Sequence, residues 1–201
     1  MRRVAGPPGT GKTTTIAEAA AIWLGNRSPT WIIAHSNVAV KNIAEKLYKR
    51  DVNFRILVSL EFHLEWWVTF FFFPSTRLLT QFYCRHEHIY EMIKDKVIRS
   101  DELPDDPGAL TRSFGGTCIM LSTLSMLSNP TLANKGVFNI VPVVQLVIDE
   151  ASQINLFDFM VRMFSTPIVL STYPLFCQHV FEKYKDLKKV CFFGDPQQRT
   201  A

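Results

Sequence analysis

The sequence predicts an α/β fold in which a parallel β-sheet is flanked by helices. A glycine-rich loop near the start stands between a short apolar stretch and a helix-forming run. Several later apolar runs are continuous rather than alternating, as expected for parallel strands that are buried on both faces. Segments with helical periodicity separate some of these runs, which is the pattern of successive βα units. The chain has 201 residues, 47% of them hydrophobic, which suits one domain or one domain that carries an insertion.

The glycine-rich loop reads AGPPGTGKTTT and fits the phosphate-binding pattern G-x-x-x-x-G-K-[ST]. Glycines permit positive φ angles and close backbone approach, so that successive N–H groups and a helix N-terminus form an anion site. The spacing places Lys12 at the β- and γ-phosphates of a nucleotide and the Thr13 hydroxyl on Mg²⁺. The candidate nucleotide-binding residues of this loop are Gly6, Pro7, Pro8, Gly9, Thr10, Gly11, Lys12, Thr13 and Thr14.

Two βα units are predicted around and after the loop. The stretch RRVA is predicted to be the remaining part of the strand before the loop. TTTIAEAAAIWL predicts a helix that ends at Gly25-Asn26. A second strand is predicted from Trp31 to Ala34, followed by a helix that Ser36 or Asn37 caps. The face of this helix directed to the core is predicted to comprise Val40, Ile43, Ala44 and Leu47.

The middle of the chain is harder to assign. FRILVSL predicts a short buried strand, after which residues 61–112 are predicted to be an insertion between core elements. Within it, EWWVTFFFFP is dense in aromatic residues and shows no clear period. Apolar spacing from Leu79 to Val97 indicates a long amphipathic helix, and SDELPDDPG indicates a surface loop. TCIMLSTLSML then predicts a buried strand, Thr117 to Ser122, that leads into a turn or a helix.

The stretch VVQLVIDEASQ predicts a strand that ends in Asp149-Glu150. An aspartate at the carboxyl end of a strand can hold Mg²⁺, and an adjacent glutamate can orient and deprotonate an attacking water. Acidic pairs after strands also occur as ordinary surface loops, but the phosphate loop in the same chain favours the catalytic interpretation. KKVCFFGDPQQ predicts a last strand ended by Gly194, with polar residues at the edge where such sheets bind ligands. Taken alone, GDPQQ is equally a plain turn.

Charge, cysteine spacing and the length of the apolar runs limit the classes of protein to which the chain can belong. The 22 basic and 18 acidic residues give a net charge of +4, which permits nucleic-acid binding without establishing it. The four cysteines are widely spaced and form no C-x-x-C pair, as expected for reduced thiols in a cytoplasmic or nuclear protein. The apolar runs are too short to cross a bilayer, and no signal peptide fits ahead of the phosphate loop.

Four blocks, in this order, resemble the first motor domain of a superfamily 1 helicase. They are GPPGTGKT, AHSNVAVKNIAEKL, VIDEASQI and FGDPQQ. The branch they resemble is the 5′-to-3′ one that contains the RNA helicase of nonsense-mediated decay and its DNA-acting relatives. The resemblance implies one RecA-like domain over residues 1–201, with ATP and Mg²⁺ as ligands and single-stranded RNA or DNA as partner.

The resemblance also implies residue roles. Lys12 and Thr13 contact phosphate and Mg²⁺, Asp149 holds the metal, and Glu150 is the catalytic base. Gln198 matches a family glutamine that senses the γ-phosphate. Contacts with the nucleic-acid backbone are implied for Ser36, Asn37 and Thr123. These last three residues are explained equally well as helix caps.

Several features depart from the family pattern. QQRTA, with Arg199, stands where the family continues with a leucine and two prolines. The family's adenine-reading segment and its second motor domain, which supplies arginine fingers, have no counterpart here. We therefore expect a domain truncated at both ends that binds nucleotide weakly and hydrolyses it poorly. A remnant without turnover is the main alternative. A P-loop kinase or an AAA-type oligomer is a further alternative, which DEASQ and GDPQQ disfavour.

Overall fold

The computed structural model describes residues 2–7, 9–72, 87–152 and 184–195. These residues form a sheet of seven strands in which every pairing is parallel. The strands are β1 (Arg2–Ala5), β2 (Thr30–Ala34), β3 (Phe54–Val58), β4 (Val97–Arg99), β5 (Ile119–Thr123), β6 (Gln145–Asp149) and β7 (Lys189–Gly194). Their spatial order is β1-β7-β6-β2-β5-β3-β4. The last of these seven strands in chain order, β7, therefore lies between β1 and β6.

Helices connect the strands. They are α1 (Lys12–Gly25), α2 (Asn37–Tyr48), α3 (Leu60–Phe72), α4 (Glu87–Ile93), α5 (Pro107–Phe114), α6 (Leu124–Leu127), α7 (Pro130–Asn134) and α8 (Val137–Ile140). Among the described residues, none of the helices has the length and apolar character needed to span a membrane.

The core forms two layers, one on each face of the sheet. Successive strand residues point to opposite faces, and in β2 Ile32 belongs to one buried cluster while Trp31 and Ile33 belong to the other. Helices α1 to α4 contribute to the first cluster, and α5 to α8 contribute to the second. The Trp31 indole N–H donates to the Val141 carbonyl at 3.0 Å, which satisfies its polar atom inside the second layer. The predicted RecA-like P-loop fold, a parallel sheet flanked by helices, is confirmed.

The two predicted βα units at the start of the chain are also confirmed. The first helix ends at Gly25, as its sequence indicates. The second begins after Ser36, whose hydroxyl oxygen accepts a hydrogen bond from the Ala39 N–H at 3.1 Å and so acts as the N-cap. All four residues of its predicted core stripe are completely buried: Val40, Ile43, Ala44 and Leu47.

The segment after β3 differs in part from the prediction. The described part of the aromatic run without a clear period, residues 65–72, lies in α3, where the Phe62 and Trp66 rings stack at 5.6 Å. The described part of the predicted long helix ends at Ile93, and Val97 pairs with Ile56 as the first residue of β4. Residues 79–86 of that helix lie outside the described part of the chain. Residues 61–112 thus supply an edge strand of the main sheet, and their status as an insertion stays a prediction.

Candidate nucleotide-binding site

Strand topology brings those predicted site residues that the structure describes to one edge of the sheet. The phosphate loop follows β1, and the Asp149-Glu150 pair stands at the end of β6. Between these strands lies β7, and the Gly6 N–H donates to the carbonyl oxygen of Gly194 at 3.1 Å. Because all of the strands run parallel, the loop and the carboxylates meet at the carboxyl edge, where open α/β sheets bind ligands.

The phosphate loop closes around the ammonium of Lys12. Lys12 Nζ donates to the carbonyl oxygens of Gly6 and Pro7 at 2.6 and 2.8 Å. The Thr10 hydroxyl donates to the same Pro7 oxygen at 2.8 Å. Gly11 has a φ of 82° at the N-cap of α1, a left-handed conformation that a side chain would disfavour. The ammonium is therefore held inside the loop, while Pro8 lies outside the described residues.

The start of α1 supplies further donors to this edge. Thr13 and Thr14 lie in its first turn and are half-buried. The first N–H groups of a helix have no partner within the helix, and the helix dipole adds partial positive charge at the same end. This end of α1 is therefore suited to an anion that enters the loop.

Asp149 is almost fully buried, with 5% of its surface exposed. Burial raises the pKa of its carboxyl group above the ordinary value, and the neighbouring Glu150 charge raises it further. Two effects oppose this rise in pKa: the hydrogen bond from the Glu150 N–H, at 3.0 Å, and the positive charge of Lys12. Lys12 is bonded to Gly6, and Gly6 and Ala151 are each bonded to the end of β7, so the lysine and the aspartate, far apart in the sequence, come to the same edge.

Glu150 has an unusual backbone conformation. Its φ is 54°, in the left-handed region that residues with a Cβ seldom adopt. The Ala151 N–H donates to the Phe193 carbonyl at 2.9 Å, which ties the turn after β6 to β7. The Glu150 side chain accepts a hydrogen bond from the Ser36 hydroxyl at 3.1 Å. Strain of this kind clusters at functional sites, and here it fixes the direction in which the carboxylate leaves the backbone.

The residues at this edge suit Mg²⁺ when it is bound together with a polyphosphate. Within the described ranges, no group of three or more His, Cys, Asp or Glu side chains could hold a metal by itself. Thr13 and Asp149 offer one hydroxyl and one carboxylate, both oxygen ligands of the kind Mg²⁺ prefers. The buried charge of Asp149 would be relieved by a cation, and Mg²⁺ usually takes its remaining ligands from phosphates and water.

The residues predicted to contact nucleic acid lie beside this site. Ala34 pairs with Asp149 on one side and with Thr123 on the other, so Ser36, Asn37 and Thr123 share the same edge. The Asn37 amide donates to the carboxylate of Glu65 in α3 at 2.7 Å. The Thr123 hydroxyl oxygen accepts from the N–H of Met126 at 3.3 Å, so this residue caps α6. The alternative interpretation as caps thus applies to Ser36 and Thr123, and their contact with nucleic acid stays a prediction.

Sequence reasoning gave no role to Ser152, which joins two parts of this edge. Its hydroxyl oxygen accepts a hydrogen bond from the Asp195 N–H at 3.0 Å, linking the turn after β6 to the end of β7. Its place two residues after Glu150, within DEASQ, was the available signal. Gln198, the predicted sensor of the γ-phosphate, lies outside the described residues.

A family model described as an AAA domain, AAA_19, matches residues 1–201. Among solved structures, the chain is similar to the helicase domain of Hef from Pyrococcus furiosus, at 11% identity and a TM-score of 0.27. That match covers 92% of this chain and 33% of the Hef chain, so this chain spans about a third of the length of the Hef chain. At that TM-score the likeness bears on neither fold nor function. A search of the curated proteins found no match.

Proposed function

Since this chain belongs to the family of AAA domains, we propose that it is the ATP-binding and ATP-hydrolysing motor domain of a nucleic-acid helicase. The observation that supports this most is the convergence of Lys12 and the Asp149-Glu150 pair at one edge of the sheet, on either side of the end of β7. Family membership alone also fits other AAA-type ATPases. DEASQ and GDPQQ favour a motor of the superfamily 1 branch described above, acting in the cytoplasm or nucleus.

In this proposal each group at the edge has one task. Lys12 and the N–H groups of the phosphate loop neutralise the β- and γ-phosphates. Thr13 and Asp149 would hold Mg²⁺, which would supply further positive charge near the phosphate oxygens. A water oxygen bonds to the γ-phosphorus while the bond from that phosphorus to the bridging oxygen breaks, and ADP leaves. Glu150 accepts the proton of the water, and Gln198 senses the γ-phosphate.

Single-stranded RNA or DNA is the proposed partner. The start of α2 offers a hydroxyl, an amide and helical N–H groups, which are the kinds of donors that bind a phosphate backbone. Ser36 and Asn37 supply the two side chains, and Thr123 stands at the end of the neighbouring strand β5. Their position at the edge that also bears Glu150 would let strand binding influence hydrolysis.

Nucleotide binding by variants tests this proposal. Lys12→Ala is expected to abolish binding of a fluorescent ATP analogue, because it removes the cation of the phosphate loop. Glu150→Gln is expected to keep binding and to lose turnover, because the amide cannot accept the proton. Lys49→Ala is the matched control, since Lys49 is exposed at the opposite end of α2 and pairs with Glu45.

The outcomes separate the candidate functions. Hydrolysis that single-stranded RNA or DNA stimulates would support the motor. Nucleotide binding with a flat hydrolysis rate in every mixture would support the remnant without turnover. Unchanged affinity in the Lys12→Ala variant would refute the assignment of the nucleotide site.

A further inference from the structure

We propose, on the basis of the function proposed above, that Lys41 is a further residue that binds the backbone of the nucleic-acid strand, and that the Glu65 carboxylate occupies the place of a strand phosphate in the free protein. Asn37 and Lys41 then form one anion site at the start of α2, with Glu65 as its exchangeable occupant. Sequence reasoning assigned a backbone contact to Asn37 and no role to Lys41 or Glu65.

The two donors lie on one face of α2 and share a carboxylate from α3. Asn37 and Lys41 are four residues apart, which makes their side chains neighbours on a helix. The Asn37 amide donates to Glu65 Oε2 at 2.7 Å, and Lys41 Nζ donates to Glu65 Oε1 at 3.5 Å. Each carboxylate oxygen therefore takes one donor. A phosphodiester also shares one negative charge between two oxygens, so it can take the same two donors.

Two aromatic rings hold the Lys41 ammonium in place. Nζ lies 5.4 Å from the centre of the Phe62 ring and 5.2 Å from that of the Trp66 ring, distances at which a ring face attracts a cation. Lys41 is buried, and a buried ammonium needs an anion beside it because its charge is costly away from water. The rings carry no net charge, so an anion must complete the site.

Glu65 is the partner that can leave. Its side chain is 53% exposed, whereas that of Lys41 is 7% exposed. A carboxylate at the surface can rotate into water at small cost, since ion pairs with exposed groups contribute little free energy. The ammonium stays where it is, because burial and the two rings hold it. The site therefore keeps its cation and exchanges its anion.

The position of the site suits a nucleic-acid strand. Asn37 is the first residue of α2, which begins after Ser36 at the carboxyl edge of the sheet. The next residue, Val38, is exposed, so the start of the helix is open to a ligand. The first N–H groups of a helix attract phosphate, and an ammonium one turn later adds a full positive charge. A strand at this edge would meet the Asn37 amide first and the Lys41 ammonium once Glu65 has turned away.

Three variants and a control test this exchange. Glu65→Gln removes the competing charge, Lys41→Met removes the ammonium while keeping an unbranched side chain, and the double variant removes both. Glu61→Gln is the matched control, because Glu61 is exposed one turn earlier in α3 and its substitution removes the same charge.

The measurement is the affinity for fluorescein-labelled oligo(U) and oligo(dT), by anisotropy at several salt concentrations. Glu65→Gln is expected to tighten strand binding about two- to fivefold, the range of an ion pair at the surface. Lys41→Met should weaken binding by a similar factor and abolish the gain in the double variant. It should also reduce the slope of log affinity against log salt by about 0.7, the value for one phosphate contact on a single strand. Glu61→Gln should leave the affinity nearly unchanged.

Binding of a fluorescent ATP analogue separates this inference from the proposed function. An unmodified chain that binds no analogue refutes the proposed function. Analogue binding without strand binding in any variant refutes the anion site. The site is also refuted if Glu61→Gln gains as much affinity as Glu65→Gln, or if the gain persists in the double variant. If Glu65→Gln does not fold, Lys41→Met decides alone, since an unchanged affinity and salt slope would exclude a contact with Lys41.

Discussion

Gly194 lies where a methyl group would disturb the site. It ends β7, pairs with Ala5 of β1, and its carbonyl accepts the N–H of Gly6 at 3.1 Å. A Cβ at this position would lie 3.0 Å from the backbone N of Ser152 and 3.1 Å from its Oγ. Ordinary contacts begin near 3.4 Å, so Ser152 would have to move by a few tenths of an ångström. Gly194→Ala therefore pushes directly on the turn that bears Glu150.

The loss of stability expected for Gly194→Ala follows from the atoms that the new methyl group would meet. The nearest atom belongs to the backbone of a turn that is hydrogen-bonded to β7, so it gives way less easily than the end of a flexible side chain. Overpacking of this kind costs about 1–3 kcal/mol. We expect Gly194→Ala to lower the free energy of unfolding by that amount in urea titrations. Turnover should fall severalfold as well, since a misplacement of about 1 Å can cost about 10²-fold in rate.

Gly25→Ala is the matched control. Gly25 is the last residue of α1, and a Cβ there would meet nothing within 4 Å. Alanine should therefore leave turnover unchanged and stabilise the chain by up to about 1 kcal/mol, because glycine is the more flexible residue in the unfolded state. If the two alanine variants prove equally stable and equally active, the close packing of Gly194 against Ser152 has no energetic consequence and the reasoning is wrong.

Three further perturbations have expected outcomes. Asp149→Asn should stabilise the protein against urea at neutral pH in EDTA, because burial opposes the aspartate charge, and an equally stable variant would contradict this. Ile43→Ala should lower the free energy of unfolding by about 2–5 kcal/mol in the same assay, because Ile43 is completely buried. A change near zero would contradict this, since it would mean that the neighbouring side chains close the cavity completely. Burial lowers the pKa of Lys41, and the charge of Glu65 opposes this effect. The unfolded chain therefore holds the Lys41 proton to a higher pH than the folded chain does. The free energy of unfolding should consequently rise as the pH approaches the ordinary lysine value of 10.5. Lys41→Met should remove that rise in thermal melts, and a slope equal to that of the unmodified chain would disprove the assignment.

Local pattern was sufficient to predict all of the described strands except β4, together with the first two helices. Continuous apolar runs gave the central strands, and the spacing of residues such as Val40 and Leu47 gave the buried face of α2. The same reasoning missed β4 and read Val97 as helical. A three-residue edge strand is defined by its pairing with β3, and apolar spacing in so short a stretch fits either structure.

The site was predictable in position but only partly in detail. The phosphate-loop pattern and the acidic pair lie where parallel strands end, which fixed the edge they share. The contact between Ser36 and Glu150 depends on the register of β2 against β6, and no local pattern encodes register between strands that lie far apart in the sequence. The same holds for Asn37, whose amide is bound by Glu65 from a helix with no clear period.

The position of β7 has a consequence for synthesis on the ribosome. Among the described strands, β1 has β7 as its sole partner, and β7 is the last of them to be made. The nascent chain must therefore wait for residues 189–194 before β1 can dock, even though the remaining strands can already assemble. Such long-range closure slows folding, and it makes nucleotide binding a late event in the maturation of the molecule.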